Sequence, residues 1–593
     1  MSTEAGAAFL GVEQSLTGRR WQVTPTDERL ALTMCQRLGL PDVVGRVLAA
    51  RRVGLEDAPR FLNPTLRELL PDPFHLRDMD VAVDRLVRAV RQGQTIGVFG
   101  DYDVDGATAS ALLLRYFKAA GAPVAVHIPD RMTEGYGPNL PALLQLKAAG
   151  AAVVVTVDCG ITAFEALAGA AAAGLDVIVV DHHEAEAALP QAVAVVNPNR
   201  LDETSPHGQL AAVGVAFLLA VGLHKALRDV GWFAGRQPPD LMQWLDIVAL
   251  GTVCDVVPLV GVNRALVTQG LKVLARRANP GIAALADLGG VRERPEAFHL
   301  GYVLGPRVNA GGRVGQADLG VRLLTTDDPV EALRVAQLLD GYNKERQEIE
   351  AAVLLAAIEQ VEGRAEDDGL PLVVAAGEGW HPGVIGIIAG RLKERYNRPA
   401  CVIALAGAEG KGSGRSVPGL DLGAAIIAAR QAGLLLKGGG HAMAAGFTVA
   451  RDRLDELRRF LGDRLARQLA GPLRPVLELD CALDPGGATV ELVETLRRLG
   501  PFGSGNSEPR FAIMGARVVA PRVVGMGHIS CALAGRGGGR LKAIAFRAAD
   551  SDLGQALLAN DGTPMHLAGT LRIDNWQGNT KVQMFIEDAA PVR

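Results

Sequence analysis

Aromatic side chains are scarce in this sequence: Phe, Trp and Tyr make up 4% of its 593 residues. Its cores must therefore be aliphatic, and any surface that stacks on rings has few to draw on. Lysine is scarcer still, ten of the 61 basic residues. Cationic contacts fall to arginine, which suits bidentate phosphate pairing, although a GC-rich genome produces the same bias. The six cysteines, Cys35, Cys159, Cys254, Cys401, Cys481 and Cys531, include no CxxC pair, so neither a zinc ribbon nor a disulfide framework is signalled. Neither sign of charge dominates. With 61 basic against 65 acidic residues the net charge is −4, which excludes a uniformly basic nucleic-acid coat protein. The most apolar stretch, Ala163 to Val180, contains Glu165 and Asp176 and is too polar to span a membrane. Met1 to Leu10 carries Glu4 and has neither the basic start nor the apolar core of a secretory leader. The expectation is a cytoplasmic protein, with no internal repeat and no long low-complexity tract.

What is present is ample apolar content, 49% of residues against 21% charged, which excludes disorder over most of the chain. The length suggests roughly three to five domains. Charge is unevenly placed: Pro371 to Arg593 carries +7 and Met1 to Leu370 carries −11. An acidic first part and a basic last part fit a metal-holding domain joined to a polyanion-holding one.

Residues 1 to about 80 mix helical periodicity with turn signals such as Asn63-Pro64 and Pro71-Asp72-Pro73. From Val81 the pattern changes. Helical stretches at Val81–Gln92, Ala107–Ala119, Pro141–Ala149 and Ala163–Ala173 alternate with the apolar runs Thr95–Phe99, Val124–Ile128, Ala152–Val157 and Val177–Val180. Continuous Val/Ile runs separated by helices predict a buried parallel sheet with right-handed crossovers. Residues 209 to about 290 read mainly as helix. Asp327 to Arg364 is a charged, Ala/Leu-periodic stretch expected to form one connecting helix. A second α/β unit follows from about Pro371, with strands at Leu372–Ala376 and Ala400–Leu405. From about Pro475 short β runs, broken by Gly535–Gly539, suggest a barrel of the oligonucleotide-binding (OB) type.

Four motifs are expected at the carboxyl ends of strands: Gly100-Asp101-Tyr102-Asp103-Val104-Asp105-Gly106, Asp158-Cys159-Gly160, Asp181-His182-His183, and Gly251-Thr252-Val253-Cys254-Asp255 after the apolar Ile247–Leu250. Strand carboxyl ends form the ligand crevice of an open α/β sheet, so these side chains can converge in space. Carboxylates with imidazole and no paired thiolates favour Mn²⁺ or Mg²⁺ over structural zinc. Crowded carboxylates repel one another unless cations neutralise them. Two such ions about 3.5–4 Å apart can clamp a phosphoryl group and activate water.

These motifs resemble those of the DHH phosphoesterase superfamily. The flanking Glu134-Gly135-Tyr136-Gly137, Ala249 to Leu259, and Gly305-Pro306-Arg307-Val308-Asn309-Ala310-Gly311-Gly312-Arg313 resemble its RecJ family of bacterial single-strand-specific DNA exonucleases. The resemblance covers nearly the whole chain from about Trp21. It implies that Asp103, Asp105, Asp158, His182 and Asp255 ligate two ions, Mn²⁺ or Mg²⁺, with Asp158 as the bridge. It further implies that His183 serves the transition state near the scissile phosphate and that Asp101 supports the site from behind. Cys254 departs from the small residue expected there, such as Ala, and should pack as a small hydrophobe without loss of activity.

In the second α/β unit, Gly412-Ser413-Gly414-Arg415-Ser416 and Gly438 to Gly446 are Gly-rich segments whose backbone, hydroxyls and guanidinium could cradle phosphate. Together they resemble the DHH-associated domain that holds the nucleotide chain, and His381 to Gly386 shares that resemblance. Ser413, Arg415, Ser416, Gly440, His441 and His381 are therefore expected on DNA. Arg131, Arg307 and Arg313 are candidates for the terminal phosphate, the latter two flanking a Gly-rich turn. Phe502 to Phe511 resembles the entry to the family's OB domain, where Trp576, Phe511, Arg522 and Arg540 could bind a single strand.

The expected architecture is α/β: a parallel-sheet DHH domain at 81–325 behind an N-terminal extension, 1–80, that packs on it. A linking helix at 326–368 joins it to a smaller α/β DHH-associated domain at 369–470, and an OB-type β-barrel at 471–593 completes the chain. The implied activity is metal-dependent 5′→3′ hydrolysis of single-stranded DNA to mononucleotides, in recombination and repair. A single-strand-binding protein and a RecQ-type helicase are the implied partners, and the protein is expected to be a monomer. The rivals are a DHH phosphodiesterase of short oligonucleotides or cyclic dinucleotides, and a non-catalytic DHH scaffold in a replication complex.

Overall fold

The structure is a computed structural model that describes residues 7–592 apart from Met132, 364–368, Ala470 and 577–578; the side chains at 575, 576 and 579 are likewise outside the description. The chain forms two compact units. Met1–Gly312, Gln316–Leu338 and Val476–Arg593 make the first, and Arg313–Gly315 with Leu339–Pro475 the second.

In the first unit the apolar runs become strands β2 (Thr95–Gly100), β3 (Val124–His127), β4 (Ala151–Val157), β5 (Asp176–Val180) and β6 (Ala194–Val196), preceded by the short β1 (Arg20–Val23). β2 to β6 form one parallel sheet in the order β3-β2-β4-β5-β6. Val153, Val154, Val155 and Val157 of β4 are all buried, as a strand covered on both faces requires. The acidic motifs after β2, β4 and β5 thus emerge side by side on one sheet edge.

The fourth motif does not follow a strand. Leu245–Cys254 is an α-helix with Asp255 at its C-cap. An apolar run of four residues is too short for its period to tell strand from helix. Tertiary packing decides it, because Gly251 lets this helix lie directly on helix Val104–Ala119. A Cβ at Gly251 would stand 2.1 Å from Thr108 Oγ1 and 3.0 Å from Asp105 Oδ1. The expected Gly-rich turn at 305–313 is also helix, Gly305–Val314. Its Gly312 is used for close approach, since a Cβ would meet Tyr102 O at 2.4 Å.

The second unit contains β7 (Val373–Glu378), β8 (Ala400–Ala406), β9 (Glu409–Arg415), β10 (Lys437–His441) and β11 (Ala444–Ala450) in the order β10-β11-β9-β8-β7. The Gly412–Arg415 segment is thus a strand and not a loose cradle. Its glycines turn inward, where a Cβ at Gly412 would meet the Phe447 ring at 2.2 Å and one at Gly414 would meet Leu422 Cδ2 at 2.6 Å. Ser413 and Arg415 occupy the opposite face, as strand alternation dictates. The helix Pro329–Glu362 gives its first residues to one unit and the remainder to the other.

The C-terminal strands β12 (Val476–Leu479), β13 (Cys481–Leu483), β14 (Phe511–Val524), β15 (His528–Ala534), β16 (Arg540–Ala545), β17 (Met565–Trp576) and β18 (Asn579–Pro591) lie in the first unit. The sheet runs β13-β14-β15-β16-β18-β17, and β14 also pairs with β17, which closes a five-stranded barrel. The N-terminal segment packs on this barrel as well as on the catalytic layer. β1 pairs with β12, and Trp21 is fully buried with its indole N–H donating to Asp588 at 2.8 Å. Met34, Val44 and Leu48 share one core with Phe511, Leu533 and Leu567. Gln269, on a helix of the catalytic layer, donates to Pro64 O at 2.7 Å. Among the described residues no helix is long and apolar enough to cross a membrane.

Candidate active site

Beyond Gly100 the chain turns through Asp101 into helix Val104–Ala119, whose N-cap is Asp103, accepting from Gly106 N–H at 3.1 Å. Asp105 sits in the first turn. Its carboxylate accepts from Ala212 N–H at 2.6 Å and Val213 N–H at 2.9 Å, where another helix begins and its dipole favours an anion. Asp158 leaves β4 with φ +61°, a strained left-handed conformation that aims its carboxylate inward. His182 Nε2 lies 3.3 Å from Asp158 Oδ1, 3.6 Å from Asp255 Oδ2 and 3.9 Å from Asp105 Oδ2.

Three overlapping groups result, each with donor atoms within 4.8 Å of one another: Asp101, Asp103 and Asp158; Asp158, His182 and His183; and Asp105, His182 and Asp255. All seven residues expected at the chemistry, His183 and Asp101 included, are thus gathered in one nest. Asp158 belongs to two groups, as a bridging carboxylate would. Asp101, expected behind the site, stands among the candidate ligands.

The nest fits divalent cations. Asp101 Oδ1, Asp158 Oδ1, Asp255 Oδ2 and His182 Nε2 are buried without a hydrogen-bond partner, a costly state for polar atoms unless they serve another bond. Burial, then the charge of Asp103, pushes Asp101 up to about 8 and Asp105 up to about 7. Burial, then Asp105, pushes Asp255 up to about 9, and Asp158 is driven well above the carboxylate range. A cation would relieve this repulsion. Burial lowers His182 to about 4, which leaves a neutral imidazole lone pair, the form a metal ligand needs. Cys254 is half-buried and donates to Leu300 O at 3.4 Å, and desolvation of its thiol raises its pKa.

His183 goes the other way. Burial opposes its charge, but the hydrogen bond from its Nδ1 to Asp181 Oδ1, at 2.7 Å, raises it above the ordinary histidine value. Asp181 has no role in the sequence-based expectation, although its motif was visible. Fully buried, it also accepts from His182 N–H, His183 N–H and Ile161 N–H, which fixes the backbone that carries both histidines, while the Nδ1 bond holds the His183 ring. Tyr136 O–H donates to Asp158 O at 3.4 Å and its ring stands edge-on to His183. Asn197 and Asn199 donate to the carbonyls of His183 and His182. Nothing in the spacing of the two asparagines signals this, because they follow β6 and reach back across the sheet edge.

The expected DNA contacts fall into separate groups. Arg131 lies with its guanidinium 5.3 Å from the centre of the Tyr102 ring, beside the acidic nest. Arg307 is also in the first unit, and its Nη1 donates to Val303 O at 2.6 Å. In the second unit, Arg313 donates to Gly383 O at 2.7 Å, and His381 Nδ1 accepts from Gly383 N–H. A Cβ at Gly386 would lie 3.1 Å from Ser413 Oγ and 3.2 Å from Arg415 Nη2, so these residues form one surface. His441 and Arg415 both register with Ala444, on the strands either side of β11. Burial lowers Arg415, which donates to Gly414 O at 2.9 Å. Ser416 is a correction. It is 1% exposed and its hydroxyl donates to Leu420 O at 2.7 Å, which spends it on the local turn. Gly440 has φ +149°, and a Cβ there would meet Ala444 O at 2.4 Å, so it serves the hairpin. Phe511 is 1% exposed in the barrel core and cannot stack on a base. Arg522 and Arg540 are exposed, and the Trp576 side chain lies outside the described residues.

Comparison with known proteins gives consistent matches. The DHH family N-terminal domain matches residues 95–252, the DHHA1 domain 369–467 and the RecJ OB domain 479–588. The single-stranded-DNA-specific exonuclease RecJ of Dickeya dadantii is 39% identical over 571 residues, covering 93% of this chain and 96% of that one. The crystal structure of RecJ in complex with Mn²⁺ from Thermus thermophilus superposes with a TM-score of 0.80 at 30% identity, over 96% of this chain and 79% of that one. The Mg²⁺ complex from the same organism gives 0.75 at 29% identity, over 96% and 78%.

Proposed function

The chain belongs to the RecJ family of single-stranded-DNA-specific exonucleases, and from that premise we propose that it removes mononucleotides one at a time from the 5′ end of a single strand. It is a metal-dependent nuclease that takes Mn²⁺ or Mg²⁺ and binds single-stranded DNA. The observation that carries the reading is the buried nest of carboxylates and imidazole with four donor atoms lacking hydrogen-bond partners.

In this reading Asp103, Asp105, Asp158, His182 and Asp255 hold two ions, with Asp158 shared and Asp101 able to join. Ions held there would neutralise phosphate charge and lower the pKa of bound water. The chain's own residues supply the rest. Asp181 favours the charged form of His183 and orients its ring, and the His183 side chain, 44% exposed, can donate a proton outward. Water adds to phosphorus as the bond from phosphorus to the 3′ oxygen of the terminal nucleotide breaks. That oxygen takes a proton, and the 5′ phosphate remains on the next nucleotide. Each cut thus regenerates a substrate end. Arg131 is the candidate for the terminal phosphate, with Arg307 as a further cation. Arg313, His381, Ser413, Arg415 and His441 of the second unit would contact the strand.

The parts divide accordingly. Residues 81–325 carry the chemistry, 369–470 hold the strand, and the barrel of 471–593 binds single-stranded DNA. Recombination and repair in the cytoplasm are the proposed setting, with the protein acting as a monomer alongside a single-strand-binding protein and a RecQ-type helicase. The test is digestion of matched single- and double-stranded oligonucleotides, labelled at either end, in Mn²⁺ or Mg²⁺. Release of a labelled mononucleotide first from the 5′ end of the single strand alone is expected. Release first from the 3′ end, or equal attack on duplex, would refute it.

A further inference from the structure

Of the five aromatic rings that stand more than a third exposed among the described residues, three lie in one row: Phe298 at 47%, Tyr302 at 75% and Phe546 at 52%. In so ring-poor a chain this grouping is conspicuous, because exposed apolar rings collected in one place mark binding surfaces. The row starts at the catalytic layer and runs onto the barrel. Tyr302 stacks on Phe298 at 5.0 Å between ring centres and 24° between planes. The Arg572 guanidinium lies 5.9 Å from the Phe298 ring and 5.2 Å from that of Phe585. Phe585 meets Phe546 at 5.0 Å, and Phe546 meets His528 at 5.0 Å.

Strand alternation creates the barrel portion. β16 turns Leu541, Ala543 and Ala545 into the core and leaves Arg540 and Lys542 exposed. β18, paired in parallel with β16, sets Phe585 beside Ile544 on the same outer side, and Lys581 follows that alternation. Cations therefore flank the rings. Two of them are held by exchangeable pairs, Lys542 with Asp574 at 2.7 Å and Arg572 with Glu508 at 2.8 Å. The other end of the row is continuous with the nest, because Leu300, between Phe298 and Tyr302, accepts from Cys254, the neighbour of Asp255.

We propose that this row is a stacking track for single-stranded DNA downstream of the scissile phosphate. Bases would lie on Tyr302, Phe298 and Phe546, with Arg540, Lys542, Arg572 and Lys581 facing the phosphates. Every base has a π-face and every linkage a charge, so the track reads no sequence. Resting on the exonuclease reading, it adds where the uncut strand lies, and it puts the stacking rings on residues other than Phe511.

The test uses the full chain and fluorescein-labelled oligothymidylates of increasing length. Affinity is measured by anisotropy in EDTA, where no cutting occurs, and KM and kcat in Mn²⁺. Phe546→Leu and Tyr302→Leu keep apolar bulk and remove the ring, and each should weaken long-strand binding by roughly 5- to 150-fold. KM should rise more than kcat falls, and the gain of affinity with length should flatten. Phe546→Tyr should bind like wild type. Leu201→Ala, at a residue 73% exposed outside the row, should keep the wild-type length dependence. Unchanged long-strand affinity in both Leu variants, with unchanged melting, overturns the track. Equal loss in Phe546→Tyr and Phe546→Leu overturns it too, because a retained ring must rescue stacking. If the wild type binds long strands without cutting them, the exonuclease reading fails, and the EDTA arm still decides the track.

Discussion

Asp181→Asn changes one atom and should separate metal holding from proton donation. The two oxygens of Asp181 take four N–H donors. Oδ1 accepts from His182 N–H at 2.8 Å, His183 N–H at 3.2 Å and His183 Nδ1–H at 2.7 Å, and Oδ2 accepts from Ile161 N–H at 3.0 Å. Asparagine offers one acceptor oxygen and one amide nitrogen, so a donor must face a donor. With the nitrogen toward Ile161, that buried N–H loses its acceptor, at a cost of about 1–3 kcal/mol. The bond to His183 also falls from charge-assisted to neutral, losing about half of roughly 1.5–3 kcal/mol. The total is roughly 2–4 kcal/mol, and if all of it falls on the transition state, kcat drops about 30- to 1,000-fold. None of the removed interactions involves the donor atoms of Asp103, Asp105, Asp158 or Asp255, so Mn²⁺ affinity should change far less than kcat. The pH profile gives a second readout. A proton donor works below its pKa, and losing Asp181's charge lowers His183, so the alkaline limb should move to lower pH. The assay is single-turnover release of a labelled 5′ nucleotide across pH, with Mn²⁺ titrated calorimetrically. A kcat within threefold of wild type, or an unmoved alkaline limb, would refute the reasoning.

Asp158→Ala should abolish nuclease activity and leave the fold intact, because this carboxylate is shared by two candidate ligand groups; near wild-type turnover in saturating Mn²⁺ would count against the assignment. Gly251→Ala should impair Mn²⁺ binding by at least tenfold without touching a ligand, since its Cβ would press on Thr108 and the Asp105 carboxylate, and calorimetric titration checks it. Without metal, Asp105, Asp101 and Asp255 keep their protons to about 7, 8 and 9, while unfolded carboxyls ionise near pH ~4. Between those values the folded state binds more protons than the unfolded one, so metal-free stability should fall as pH rises. The gain in melting temperature on adding Mn²⁺ should therefore grow from about pH 5 to pH 8; a constant gain, compared with melting in EDTA, would contradict this.

The parallel sheet was legible because Val/Ile runs such as Ala151–Val157 carry a local signal of burial on both faces. The acidic motifs were legible because carboxylates and imidazoles in such numbers at strand ends have no structural use. Asp255 was found through the motif it shares, although its element was misread: four apolar residues do not announce a period, and Gly251 acts only against Thr108 and Asp105 of a distant helix. The same limit explains Gly412 and Gly414, which read as a phosphate loop but make room for Phe447 and Leu422.

Chemistry-bearing residue types and their order along the chain are sequence properties, and together with the family resemblance they carry they specified a metal-dependent phosphoesterase with a barrel at its end. Which atoms meet is not such a property. Asn197 became the anchor of the His183 carbonyl, and Asn199 that of His182, because β5 and β6 are adjacent in the sheet. Phe511 left the binding surface because alternation and closure of the barrel turned it inward. Phe298, Arg572, Phe585 and Phe546 became one row although more than 240 residues separate the first from the others. Local composition sets what a residue can do, and long-range packing, paid for by burial of apolar surface across the whole unit, decides what it is placed against.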